Sequence, residues 1–101
     1  MKKQVTVDES GVLVKLAGEM YIEDAENLRR ELLEYTARGN ARLIIDMGDM
    51  TYIDSSGIAA LIAVHKSAQR VGGSVTLTGL KGVIDELFEV TRLKKVFQIQ
   101  D

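Results

Sequence analysis

Alternating hydrophobic and polar positions near the start of the chain predict two β-strands. Gln4–Val7 and Gly11–Ala17 lie on either side of a polar turn, Asp8–Gly11. The second strand alternates three residues with three others: Val12, Val14 and Leu16 against Leu13, Lys15 and Ala17. A period of two places each set on one face of a strand. The pattern therefore predicts an antiparallel pair with one well-buried face.

Helical spacing of hydrophobic residues predicts three helices further along the chain. The first runs from Ile22 to Arg38 and ends at Gly39, the second runs from Ser55 or Ser56 to Val71, and the third begins within Gly79–Gly82. Their predicted inner faces are, in order, Ala25, Leu28, Leu32 and Tyr35; Ile58, Leu61, Val64, Ala68 and Val71; and Val83, Ile84, Leu87, Phe88 and Val90.

Three further strands complete the predicted order ββαβαβαβ. Arg42–Asp46 is a short apolar run, typical of a strand buried on both faces, and the loop Asp46–Gly57 follows it. Ser74–Thr78 and Lys95–Ile99 are the last two strands. Strands that alternate with helices predict an α/β fold, here a mixed, mostly parallel sheet with right-handed crossovers and the first strand antiparallel at an edge. We expect residues 1–101 to form one domain.

Composition narrows the function classes. The chain has 101 residues, no cysteine and a net charge of −2, so thiol catalysis, thiolate metal sites and an electrostatic footprint for nucleic acid or an anionic membrane are not expected. No apolar run approaches the ~20 residues of a membrane span. We expect a cytoplasmic domain without a membrane or nucleic-acid partner, as a monomer or weak dimer.

The segment Asp54-Ser55-Ser56-Gly57 carries the strongest candidate chemistry. Loops beyond the carboxyl ends of parallel strands are where sites gather in open α/β sheets. We predict that Asp54 caps the second helix by accepting from the backbone N–H of Ser56 or Gly57. Ser55 then occupies the first helical position with a free hydroxyl, and Gly57 allows another protein's backbone to approach closely.

A second stripe on the same helix begins at this serine. Ser55, Ala59, Ile62 and Lys66 recur at helical spacing, and Ala63 borders them. Small side chains there favour close packing of a partner, although Ile62 could instead widen the core face, as is normal for a helix on a sheet.

Catalytic and metal-binding alternatives find less support in the sequence. A serine nucleophile needs a base, and His65 is the only histidine and falls about three turns along the helix of Ser55. Asp46, Asp49 and Asp54 could hold magnesium, with Asp46 as a phosphate acceptor as in response-regulator receivers. Receivers have an acidic pair after the first strand, but here the segment Gln4–Glu9 leads into a hairpin rather than a helix. We expect no metal, no cofactor and no enzymatic activity.

These residues together resemble the STAS domain of bacterial anti-sigma factor antagonists. The matching features are Asp54-Ser55-Ser56-Gly57 before an alanine-rich helix, Gly18-Glu19 after the second strand, Gly72-Gly73 before the next strand, and the closing segment Val83–Phe97. The resemblance covers essentially the whole chain and is specific because the motif lies in the expected order of elements.

The resemblance implies a regulatory cycle. In that family the serine after the aspartate, here Ser55, is phosphorylated by an anti-sigma factor kinase, and a serine phosphatase resets it. The unphosphorylated form binds the anti-sigma factor and releases sigma, and ATP belongs to the kinase. Many phosphorylated members have an aspartate where this chain has Tyr21, which we place on the partner-binding surface. The alternative is therefore a constitutive scaffold subunit without the switch.

Overall fold

The computed structural model describes residues 1–100 and contains, within them, five strands and three α-helices in the order ββαβαβαβ. The predicted α/β class and element order are confirmed. A 3₁₀ turn, Leu93–Lys95, precedes the last strand. The elements are β1 Lys2–Asp8, β2 Gly11–Met20, α1 Ile22–Ala37, β3 Arg42–Ile53, α2 Ser55–Arg70, β4 Ser74–Thr78, α3 Gly82–Val90 and β5 Gln98–Gln100.

The strand order in the sheet follows the order in the chain, β1-β2-β3-β4-β5. β1 is antiparallel to β2, and the other neighbours are parallel. Each strand after β1 is added on the same side of the strand before it. Right-handed crossovers between strands added in one direction place all three helices on the same face of the sheet. That face holds the core, whose fully buried strand residues include Val14, Leu16, Leu43, Ile45, Val75 and Leu77.

The other sheet face is open, so the prediction that Arg42–Asp46 is buried on both faces is wrong. Leu43 and Ile45 point to the helices and are fully buried, whereas Ile44 is only partly buried. The error has a physical cause, because a sheet wound in one direction has helices on one side only.

The prediction of a loop over Asp46–Gly57 is also wrong, because β3 continues to Ile53. Between its pairs with Lys15 and Ala17 of β2, and again between those with Gly18 and Glu19, β3 contains an extra residue. Such bulges interrupt the alternation of side chains. The later buried residues of β3 are therefore three apart, at Met47, Met50 and Ile53, which hides a strand from a search for period two.

Three smaller predictions need correction. Val83 and Val90 lie outward on α3, 75% and 78% exposed, because a nine-residue helix buries only a narrow stripe, here Ile84 and Phe88. Val71 is exposed because α2 ends at Arg70. The last strand begins at Gln98 rather than Lys95, because the 3₁₀ turn occupies Leu93–Lys95.

Candidate functional site

The site lies where β2 and β3 end side by side. β2 leads through Tyr21 into α1, and β3 leads through Asp54 into α2. The N–H of Asp54 donates to the carbonyl of Met20 at 3.4 Å, which ties the two junctions together. Because parallel neighbours end at the same edge of a sheet, the two helix starts and their caps form one surface.

Asp54 caps α2. Its backbone is extended, with φ −97° and ψ −177°, and its Oδ1 accepts the N–H of Gly57 at 3.0 Å. The Asp54 carbonyl accepts the N–H of Ile58 at 3.1 Å and so begins the helical hydrogen bonding. A carboxylate in this position satisfies an N–H that the helix cannot and complements the positive end of the helix dipole.

The two serines differ in their surroundings. Ser55 is exposed at the first position of α2. Ser56 is partly buried and faces a groove of about 260 Å³ between α1 and α2. The groove is lined by Ile22, Ala25, Glu26, Arg29, Ser56, Ala59 and Ala60. A macromolecule that approaches from solvent therefore meets the hydroxyl of Ser55 first.

Gly57 faces inward, so the prediction that it admits a partner's backbone is wrong. It is buried, and a Cβ at this position would lie 2.5 Å from Cγ1 of Ile53 and 2.7 Å from Sδ of Met20. The missing side chain makes room for the ends of β2 and β3 beneath α2.

The stripe that begins at Ser55 is exposed at both ends and partly buried in the middle. Ala59 and Lys66 are exposed, whereas Ile62 and Ala63 are partly buried. Ile62 also packs against the core. The stripe thus presents mostly small side chains to solvent, and Ile62 is shared between the core and the surface.

Two tyrosines stand beside Asp54. The ring of Tyr21 lies 5.3 Å from that of Tyr52, and the two residues are 49% and 44% exposed. The Tyr21 hydroxyl donates to Oε2 of Glu19 at 2.9 Å. This bond, with lesser contributions from partial desolvation and from the charges of Glu19, Tyr52 and Asp54, raises the pKa of the Tyr21 hydroxyl. Tyr21 therefore stays a neutral donor, held in place by Glu19.

Tyr52, Ile22 and Arg29 lie at the candidate site, although the sequence patterns did not place them there: Tyr52 contacts Tyr21, and the other two line the groove between α1 and α2. Tyr52 falls within the predicted loop, and its pairing opposite Glu19 depends on the second bulge of β3. Ile22, although placed at the start of a helix, is 56% exposed beside Tyr21. The sequence signal that could have revealed Tyr52 is its position two residues before the cap Asp54.

The residues considered for catalysis or metal binding lie apart from Ser55 or are otherwise engaged. His65 is buried, its ring is 5.2 Å from that of Phe97, and its Nδ1 has no hydrogen-bond partner within residues 1–100. Burial lowers the pKa of His65. Oδ1 of Asp46 accepts the N–H of Gly48 at 2.9 Å. Residues 1–100 contain no group of three or more His, Cys, Asp or Glu side chains placed to hold a metal ion.

None of the helices described in residues 1–100 is both long enough and apolar enough to span a membrane.

Comparison with known proteins gives consistent results. The family model of the STAS domain matches residues 2–101. The anti-sigma-B factor antagonist of Bacillus subtilis is 33% identical over 95 residues, which cover 94% of this chain and 86% of that protein. The unphosphorylated anti-sigma factor antagonist SpoIIAA has the same fold, with a TM-score of 0.82 at 19% identity over 99% of this chain and 88% of that one. The phosphorylated form of SpoIIAA from Bacillus gives 0.80 at 19% identity, over 99% and 92%.

Proposed function

Because the chain belongs to the STAS domain family of anti-sigma factor antagonists, we propose that it is a binding protein switched by phosphorylation of Ser55. In its unphosphorylated form it binds an anti-sigma factor, which is also a serine kinase, and so frees a sigma factor. Phosphorylation of Ser55 by that kinase ends the binding, and a serine phosphatase restores it. The chain acts in the cytoplasm as substrate and ligand of these enzymes and catalyses nothing itself.

The observation that carries this proposal is that Asp54, and not Ser55, caps α2. Asp54 holds the helix start through Gly57, so the hydroxyl of Ser55 is not needed as a cap. Ser55 is also the more exposed of the two serines. A kinase can therefore reach its Oγ without unfolding the start of α2.

The proposed switch acts at the interface rather than on the fold. A phosphate on Ser55 adds about −1.5 to −2 charges at pH 7. Helix N–H groups and the helix dipole favour an anion at that position, so the domain itself tolerates it. A partner that packs closely against Ser55 would have to desolvate the phosphate, which is unfavourable, and would therefore dissociate.

The difference in binding free energy that the switch requires is attainable. Reversing a partner from mostly bound to mostly free takes about 5.5 kcal/mol of differential affinity. A desolvated double charge in the middle of an interface supplies energies of that order, whereas a charge at a solvated rim does not. The proposal therefore places Ser55 near the centre of the contact.

The proposed contact surface consists of the residues around Ser55. The α2 stripe of Ala59, Ile62, Ala63 and Lys66 forms one side, and Tyr21 forms the other. Exposed tyrosines are enriched among the residues that dominate binding energy. Tyr52 supports Tyr21 through their ring contact and extends this side of the surface.

Binding to the anti-sigma factor of the source organism tests the proposal. Ser55→Ala should bind it like the wild type and accept no phosphate from ATP, and Ser55→Asp should bind more weakly. Ser56→Ala is the matched control, which should both bind and accept phosphate. Phosphate transfer to Ser55→Ala, or equal binding by Ser55→Asp and wild type, would refute the assignment of the switch to Ser55.

A constitutive scaffold subunit is the second candidate, and Tyr21 favours it. Its hydroxyl is engaged by Glu19, and its ring occupies the position where many phosphorylated relatives have an aspartate. If that aspartate helps a kinase to align the serine, this chain binds a partner without being phosphorylated. Tyr21→Asp distinguishes the two: gain of phosphorylation in this variant alone supports the scaffold, and phosphorylation of both proteins supports the switch.

A further inference from the structure

The outer edge of β1 is the longer of the two outer edges of the sheet. β1 has seven residues and pairs only with β2, whereas β5 at the opposite edge has three. An unpaired edge presents N–H and C=O groups that can bind another strand. We propose that β1 pairs antiparallel with β1 of a second copy of this chain, in a weak dimer with a continuous ten-stranded sheet.

The sequence of β1 is complementary to itself in one register. With a two-fold axis through Val5, all seven residues pair: Lys2 lies opposite Asp8, Lys3 opposite Val7, and Gln4 opposite Thr6. This axis is perpendicular to the sheet, so the helices of both copies lie on the same side. An axis through Gln4 or Thr6 pairs fewer residues and separates Lys2 from Asp8.

The charges of β1 favour this register. Lys3 already forms an ion pair with Glu31 of α1, whereas Lys2 is exposed and has no salt bridge within residues 1–100. Hydrogen bonds from the Ser10 side chain and backbone lower the pKa of Asp8, so it stays charged. Lysines on an edge usually oppose strand pairing, but here each dimer places both copies of Lys2 opposite an Asp8.

The size of the contact sets its strength. Val7 is 47% exposed and Val5 partly buried, so pairing removes some apolar surface from water. A single pair of short strands buries much less than the ~1,200–2,000 Å² of a stable specific interface. The dimer should therefore form reversibly and only at high protein concentration.

The pairing leaves the candidate site uncovered. Ser55 follows β3, which lies two strands away from the β1 edge. The two-fold axis reverses the strand direction, so the two copies of Ser55 lie at opposite ends of the joined sheet. One dimer could then present two sites to two partner molecules. The proposed dimer does not depend on the proposed function of Ser55.

Sedimentation velocity of the full chain over a range of concentrations, with two charge variants, tests this interface. Lys2→Asp alone places Asp opposite Asp8, and Asp8→Lys alone places Lys opposite Lys2, each twice per dimer. Each variant should dimerise about tenfold more weakly than the wild type. Mixed together they should form a heterodimer as strong as the wild-type dimer, because both cross-strand pairs are then of opposite charge.

Two more variants protect the test against effects on folding and net charge. Val7→Lys, at an exposed position, places Lys opposite Lys3 and should weaken dimerisation although it leaves the Asp8 turn intact. Lys81→Asp changes the net charge as Lys2→Asp does but lies far from β1, and it should dimerise like the wild type. A wild type that stays monomeric at every concentration, a mixture no stronger than its components, or equal weakening by Lys81→Asp would overturn the proposal.

Discussion

Oδ1 of Asp54 and the backbone N–H of Gly57 are joined by a hydrogen bond of 3.0 Å. This bond assigns the capping of α2 to the residue before Ser55 and not to Ser55 itself. The serine therefore stands at the first turn of a helix whose start is already stable. Helix stability and the proposed modification thus fall to adjacent residues, and each can be tested separately.

Loss of the cap should destabilise the domain. Asp54→Ala leaves the N–H of Gly57 without its acceptor, and we expect the free energy of unfolding to fall by about 1 kcal/mol. Asp54→Asn keeps a side-chain oxygen and should lose less. Urea denaturation of the three proteins measures the difference, and an unchanged midpoint for Asp54→Ala would contradict the capping geometry.

A negative charge at Ser55 should leave the fold intact. The helix dipole favours an acid at this end, so the melting temperature of Ser55→Asp should stay close to that of the wild type. Differential scanning calorimetry gives the comparison. A large drop in the melting temperature would show that the hydroxyl of Ser55 supports the helix start, which would contradict capping by Asp54 alone.

Gly57→Ala should be the most damaging change at the site. Its Cβ would lie 2.5 Å from Ile53 and 2.7 Å from Met20, and overpacking of this kind lowers the free energy of unfolding by about 1–3 kcal/mol. Ser55→Ala, an exposed position two residues earlier, is the control and should be close to neutral. Equal stability of both variants in urea would mean that Met20 and Ile53 repack without strain.

Stability should depend on pH through His65. Burial lowers its pKa below the usual 6.5, so the unfolded chain takes up a proton at a higher pH than the folded one. Stability is then fully present above about pH 6.5 and decreases as the pH falls toward the folded pKa. His65 is the only histidine. His65→Phe should therefore weaken the pH dependence of the melting temperature at and below the ordinary histidine pKa of about 6.5. An equally steep profile in the variant would place the titrating group elsewhere.

Local patterns predicted most of the fold, because each element carried its own signal. The period of two in β2 and the glycine after α1 are readable without tertiary information. The second half of β3 could not be predicted in this way, because its bulges place the buried residues Met47, Met50 and Ile53 three apart rather than two apart. The open sheet face was also missed, because it follows from the strand order and not from the composition of Arg42–Asp46.

At the candidate site, too, the local feature could be predicted from the sequence and the contacts between strands could not. The chemistry of capping makes the Asp54–Gly57 bond predictable from the sequence alone. Gly57 was misjudged because its closest neighbours, Met20 and Ile53, come from two different strands. Tyr52 was missed for a related reason, as its contact with Tyr21 depends on the register between β2 and β3.

Phosphopeptide mass spectrometry on the protein from its native cells, grown with and without stress, tests the central claim most directly. We predict phosphate on Ser55 and not on Ser56, in a proportion that changes with growth condition. Absence of phosphate on Ser55 in every condition, while a stable partner co-purifies with the chain, would contradict the switch and support the scaffold.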